Sequence, residues 1–382
     1  MSHAPSLALE RRHRIIRQDM AARGLDALVV TALPNILYLT NFTGSSAVVV
    51  VTADRVLFIT DFRYTTTMAA ARGAPSECPA LELVTVEGSY DATLALVLGA
   101  SGWRRIGFEA SHLTVGRFDW LKATLATHAS PSPAPELVGT DKVVERARVR
   151  KDAYEIETLR EAARRLSQVA AAVVTSVQRG QAERDVALAI DCRIRQAGFE
   201  RSAFETIVAS GPNAALPHAR PGGRTITEGD LVVLDFGGVH DSYCVDLTRT
   251  VSVGPASTRA REVHAAVREA RDRAIAAVAP GRSRFDIDAA ARETLTGHGL
   301  GEAFGHGTGH GLGVEVHEDP RITRRRPDVD TEDEEVAPGM IFTIEPGAYL
   351  PGWGGVRIED DVLVTDDGVE VLTDVTTELL EI

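Results

Sequence analysis

His306, His310 and His317 fall within fourteen residues, GHGTGHGLGVEVHE, at positions 305–318. His306 and His310 stand four apart, a spacing that on a helix would turn both imidazoles to one face, as in HExxH zinc sites. Gly305, Gly307, Gly309, Gly311 and Gly313 lie in the same stretch, and such a composition argues against a helix interior. Any ion held here needs ligands from elsewhere in the chain.

Carboxylates supply them. LVVLDFGGVHDSYCVDLTRTVSV reads as two strands joined by a tight turn. A turn centred between His240 and Asp241 sets Asp235 opposite Asp246, with side chains on one face roughly 4.5–5.5 Å apart at Cβ. Two such carboxylates repel, so a positive group is expected between them. MIFTIEPGAYLPGWGGVRIEDDVLVT repeats the device: a loop centred on Gly352 sets Glu345 opposite Glu359, with Arg357 on the same face as Glu359. Four carboxylates and one or two imidazoles suit two divalent ions, and a water or hydroxide bridging them would be the nucleophile at neutral pH. Oxygen-rich ligation favours Mn2+, while a histidine admits Co2+, Zn2+ or Fe2+. Each motif alone is weak, since Asp-Gly pairs commonly make turns; their joint occurrence carries the reading. His240 and Asp241 read as turn residues, and His264, on a charged helical stretch, as surface.

The elements that must position these groups alternate between helix and strand. ERRHRIIRQDMAARG reads as a helix stopped at Gly24. DALVV and AVVVVTADRVLFIT read as strands with a turn near Ala53-Asp54. A helix at TTTMAAAR, an extended ALELVTV and a helix at YDATLALVLG follow, then a proline-rich loop, SPSPAP, at 130–135. A long helix opens at Asp152, with Glu155 three residues on as in a capping box. Further helices run through RDVALAIDCRIRQAG and TRAREVHAAVREARDRAIAAV. The pattern predicts an α/β two-domain chain divided at 1–148 and 149–382. The basic RITRRRP and the acidic DVDTEDEEVAPG are expected to be solvated surface.

Composition limits the function classes. The 382 residues are 44% hydrophobic and 25% charged, as in ordinary globular proteins. A formal net charge of -13 disfavours a nucleic-acid partner. The apolar runs fall short of a membrane span, and the N-terminus lacks a signal-peptide core. Cys78, Cys192 and Cys244 are odd in number and widely separated, which fits a reducing, cytoplasmic location.

Taken together, DFGG…VDLTRT, GHGTGHGLGVEVHE, TIEPG and GGVRIEDD resemble the pita-bread metallopeptidases: aminopeptidase P, prolidase and methionine aminopeptidase. YLTNFTGSSA and FITDFRY resemble the creatinase/prolidase N-terminal domain, which favours the Xaa-Pro-cleaving branch. The resemblance implies a C-terminal α+β pita-bread catalytic domain holding two divalent metal ions. It implies Asp235, Asp246, His310, Glu345 and Glu359 as metal ligands, with Asp246 and Glu359 shared between the ions. It implies Glu345 as general base, and His317 and His218 as groups facing the substrate. His306 supports them. Arg357 would orient carboxylates, grip a dipeptide's C-terminal carboxylate or form a structural ion pair, and Tyr349 would line the same region. The implied substrates are short peptides with proline second, handled by a homodimer, with a lean toward aminopeptidase over dipeptidase. A metal-independent, creatinase-type amide or amidine hydrolase and a non-catalytic binding module are the competing readings. The intact ligand positions weigh against both.

Overall fold

Valine-rich runs bounded by turns build the first sheet. The computed structural model describes residues 3–128, 134–325 and 334–382, and the chain divides into two units, Met1–Arg148 and Val149–Ile382. In the first, six strands lie in the order Leu81–Thr85, Val56–Thr60, Val48–Thr52, Ala27–Val30, Arg105–Glu109, Glu136–Thr140. The strand Val48–Thr52 is antiparallel to both its neighbours, and the outer pairings are parallel. Every residue of Ala27–Val30, Val48–Thr52 and Val56–Thr60 is buried, as expected of strands covered on both faces. Side chains alternate between two cores: Leu28, Val49, Val51 and Phe58 on one face, Val29, Val48, Val50 and Ile59 on the other.

In the second unit the helix Ala153–Val173 begins with the expected Asp152–Glu155 capping box. Glu183–Gln196, Thr258–Ala277 and Arg284–Gly297 are the other long helices. One sheet is ordered Leu380–Glu381, Tyr243–Ser252, Leu231–His240, Arg201–Ser202, and Ile207–Ser210 also pairs with Leu231–His240. A second is ordered Glu318–Ile322, Gly309–Gly311, Ile341–Ile344, Asp360–Val364, Val369–Val371. Gly347–Leu350 and Gly354–Arg357 form a separate two-stranded sheet. A core built on Val263, Val267, Ala270, Ile344 and Val362 joins the Thr258–Ala277 helix to these strands.

Three expectations need correction or limits. Asp235 pairs with Thr248 and Asp246 with Gly237, so the two acids are diagonal neighbours on one face rather than directly opposed. The turn is Asp241-Ser242, both residues left-handed at φ 48° and 70°, the two-residue hairpin geometry that follows strand twist. Its centre lies one residue beyond the expected position. His264 is buried, at 4% exposure, because its helix face turns inward against the same core. The segments SPSPAP, RITRRRP and DVDTEDEEVAPG lie partly outside the described residues.

Candidate metal centre

The site is assembled from paired strands. Asp235 and Asp246 come from Leu231–His240 and Tyr243–Ser252. Glu345 and Glu359 lie in the gap between two ladders of one hairpin: Ile344 pairs with Asp360 on one side and Gly347 with Arg357 on the other. The expected register therefore holds there. The two acids leave the ladder, and their N–H groups donate elsewhere, Glu345 to Thr308 O at 2.7 Å and Glu359 to Thr248 O at 3.1 Å. His310 stands in the middle of the short strand Gly309–Gly311. Glycine is required beside it: a Cβ on Gly309 would meet Thr343 O at 1.8 Å, and one on Gly311 would meet Asp319 O at 2.1 Å. The histidine stretch is thus a strand pressed between others, not a helix.

Asp246, His310 and Glu359 are all buried, and each offers a ligand atom within 4.8 Å of the other two. Glu345 Oε1 lies 3.6 Å from His310 Nε2. His310 Nδ1 is 3.0 Å from Gly311 O. A carbonyl only accepts, so Nδ1 carries the proton and the Nε2 lone pair is left toward the acids. Burial holds the His310 ring neutral, lowering its pKa to about 3. Burial also raises the carboxyls of Asp246 and Glu359 well above the ordinary range. Repulsion from Glu359 and Asp235 adds to this at Asp246, and from Glu345 and Asp235 at Glu359. Glu345 is pushed up to about 8, first by burial and then by Asp235, against the pull of Arg357. Asp235 Oδ1 and Asp246 Oδ1 are buried with no hydrogen-bond donor among the described residues. Acceptor-only oxygens without donors, beside an imidazole lone pair, are the donor set of a divalent cation. The residues present fit metal ions.

A cavity of ≈ 570 Å³ opens over this cluster. Its wall includes Asp235, Asp246, His310, Glu345, Glu359, His218, His306, His317 and Arg357. The sequence-derived ligands and substrate-facing groups therefore share one wall, whereas Tyr349 is not part of it and bonds to His306 and Arg357 instead. The His317 ring lies 4.4 Å from that of His310, centroid to centroid, and burial lowers its pKa. His306 Nε2 lies 2.9 Å from Tyr349 OH and Nδ1 2.8 Å from Gly307 O, which makes it a neutral supporting group. Arg357 faces inward: Nη2 donates to Asp235 Oδ2, Nη1 to Tyr349 OH at 2.8 Å and Pro217 O at 3.2 Å, and Nε to Thr248 Oγ1 at 3.2 Å.

Sequence reasoning missed three contributors. Thr248 Oγ1 donates to Glu359 Oε2 at 2.6 Å; two residues after Asp246 on a strand, it shares that face, and this was the available signal. Asp361, fully buried, accepts the Asp246 N–H at 3.1 Å. Arg321 lines the cavity with an exposed side chain.

Residues 157–366 match the model of metallopeptidase family M24, and residues 12–150 match the creatinase/prolidase N-terminal domain. An uncharacterized peptidase of Bacillus subtilis, YqhT, is 37% identical over 365 residues, covering 96% of this chain and 98% of its own. The solved structure of an Xaa-Pro dipeptidase from Bacillus anthracis superposes with a TM-score of 0.89 at 34% identity, covering 98% of this chain and 100% of that one. An X-Pro aminopeptidase from Thermotoga maritima gives a TM-score of 0.85 at 32% identity, covering 97% and 100%. Among the described residues no helix is long and apolar enough to cross a membrane. With these matches spanning both units, the chain belongs to metallopeptidase family M24 and carries a creatinase/prolidase N-terminal domain.

Proposed function

We propose that this chain is a dinuclear-metal Xaa-Pro peptidase that cleaves the bond between an N-terminal residue and a following proline. The observation that carries the reading is the buried Asp246–His310–Glu359 cluster at the floor of a cavity it shares with Asp235 and Glu345. Asp235, Asp246, His310, Glu345 and Glu359 would hold the ions, with manganese favoured by the oxygen-rich set. When bound, a pair of divalent ions supplies Lewis-acid polarisation of the peptide carbonyl and an activated water nucleophile.

The chain's own groups do the rest. Glu345 Oε1 accepts a proton from the attacking water and delivers it to the leaving nitrogen. His317 and His218, on the same wall, hydrogen-bond the oxygen that gains charge during attack. Arg357 orients Asp235: Nη2 donates to its carboxylate, while Nη1 and Nε donate to Tyr349, Pro217 and Thr248. A peptide's terminal carboxylate then needs another cation. Arg321 lines the cavity and has no side-chain hydrogen bond to any other described residue. That placement favours dipeptides, whose carboxylate lies near the scissile bond, over the longer substrates of an aminopeptidase. Proline at the second position supplies a tertiary amide with no N–H to satisfy. A cytoplasmic location accords with three free cysteines, and a homodimer with the family resemblance.

The test is to assay manganese- or cobalt-loaded protein on Xaa-Pro dipeptides, Xaa-Pro-Yaa tripeptides and matched peptides without proline. Dipeptides should be cleaved fastest. Arg321→Gln should raise KM for them about 10-fold, the worth of one charge-assisted hydrogen bond, with kcat little changed. Equal KM values in the two proteins would remove the carboxylate anchor. No cleavage of either proline-containing set would refute the peptidase reading.

A further inference from the structure

The helix Arg284–Gly297 presents Asp288 and Arg292 at i, i+4 spacing, outside the described cavity wall. Asp288 is 1% exposed. Arg292 donates to both of its oxygens, Nε to Oδ2 and Nη2 to Oδ1, each at 2.9 Å. Asp288 Oδ1 also accepts from the Thr308 N–H at 3.1 Å and the Thr308 hydroxyl at 2.8 Å. Arg292 in turn donates to Phe304 O at 3.0 Å and His306 O at 2.9 Å, with its guanidinium 4.4 Å from the Phe304 ring centre.

A buried ion pair is a costly way to hold a helix, and a well-packed apolar pair serves stability as well or better. What distinguishes this pair is the destination of its bonds. Beyond the pair itself, they run to the backbone of residues 304–308 and to the Thr308 hydroxyl. On the other side of Thr308, its carbonyl accepts the Glu345 N–H at 2.7 Å, and His310 follows two residues later. The strand between has no slack, since Gly309 already lies against Thr343 O.

We infer that Asp288 and Arg292 are positioning residues: they fix Thr308 and, through it, the backbone from which His310 and Glu345 reach the cavity. The inference rests on the metal-centre reading above. Groups bonded directly to metal ligands typically change metal affinity by 10–100-fold; Thr308 O is one bond from Glu345, and Asp288 and Arg292 act one bond further out.

The experiment uses the full chain and measures Mn2+ binding by calorimetry, melting temperature in chelator, and steady-state kinetics on an Xaa-Pro dipeptide. Thr308→Val keeps shape but removes the hydroxyl bond to Asp288, while Thr308→Ser keeps the hydroxyl. Thr308→Val should weaken Mn2+ binding about 10-fold or more and lower kcat at saturating metal. KM should be unchanged, because Thr308 is not part of the described cavity wall. Thr308→Ser should restore both quantities. A purely structural role would move the melting temperature alone. Arg292→Lys, at a side chain 20% exposed, is the second probe should the first fail to fold; it cannot span the carboxylate and both carbonyls, and should weaken Mn2+ binding in the same direction. Wild-type Mn2+ affinity and kcat in the folded variants would overturn the positioning role and leave the metal centre standing. A wild-type protein that takes up no Mn2+ would overturn both.

Discussion

Arg357 donates through Nη2 to Asp235 Oδ2 in a pair whose side chains are only 4% and 11% exposed. Its Nη1 and Nε donate to Tyr349, Pro217 and Thr248. Removing one member of a buried pair leaves an uncompensated charge, typically a loss of about 3–5 kcal/mol. Arg357→Met should therefore destabilise the metal-free protein by that order in urea unfolding. At saturating metal it should lower kcat rather than raise KM for dipeptides. A rise in KM with kcat intact would mean that the guanidinium leaves Asp235 to bind substrate.

Asp246 and Glu359 carry the opposite problem, like charges buried together. Burial raises both carboxyls, with repulsion from Glu359 and Asp235 adding at Asp246 and from Glu345 and Asp235 at Glu359, so the metal-free site stores unfavourable energy that a cation relieves. Glu359→Gln keeps an oxygen to accept from Thr248 Oγ1 and removes one charge. In chelator the variant should melt higher than wild type, by roughly 2–4 °C for each kcal/mol relieved. In Mn2+ the order should reverse, because wild type gains binding energy that the variant has lost. Thermal melts of both proteins in the two conditions check this, and a variant less stable in chelator would contradict it.

These relationships show how far residue patterns reach. Strand periodicity was enough to put Asp235 and Asp246 on one face, because a shift of two residues preserves it. The register itself was not legible, because Asp241 and Ser242 adopt left-handed turn conformations without the glycine that usually marks them. Glu345 and Glu359 were placed correctly because Gly352, at φ 77°, lies at the centre of their loop. His264 was misjudged: arginines and glutamates crowd its helix, but its own face joins the Val263 and Val267 stripe in the core. Thr248 is marked only by sharing the strand face of Asp246, and Asp361, Arg321 and the Asp288–Arg292 pair carry no local mark of function. They matter through contacts with residues 14 to 115 positions away, or through the cavity they line, and only the folded chain creates these.

Two buried histidines distant from the metal ligands set an acid limit on stability. His13, 1% exposed, and His264, 4% exposed, have pKa values lowered by burial from 6.5 to about 4. His13 Nε2 lies 2.8 Å from Leu39 O and must donate to it, while Nδ1 is buried without a partner among the described residues. Arg17 and Arg12 further disfavour a charge at His13, opposed by the Leu39 hydrogen bond and Glu10, and Arg268 and Arg249 do so at His264, opposed by Glu378. Between pH 6.5 and 4 the unfolded chain binds these protons and the folded chain does not, so stability rises with pH across that window. The contribution is complete above pH 6.5, is lost as the pH falls toward 4, and changes no further below it. Its size is on the order of 3 kcal/mol per histidine at 1.36 kcal/mol per pKa unit. Urea midpoints of the chelated protein at pH 7, 6, 5 and 4.5 measure the slope. The double variant His13→Gln, His264→Gln should show a shallower decline, with His306 and His310 contributing equally to both proteins. Parallel declines would assign the acid sensitivity to the metal-site groups instead.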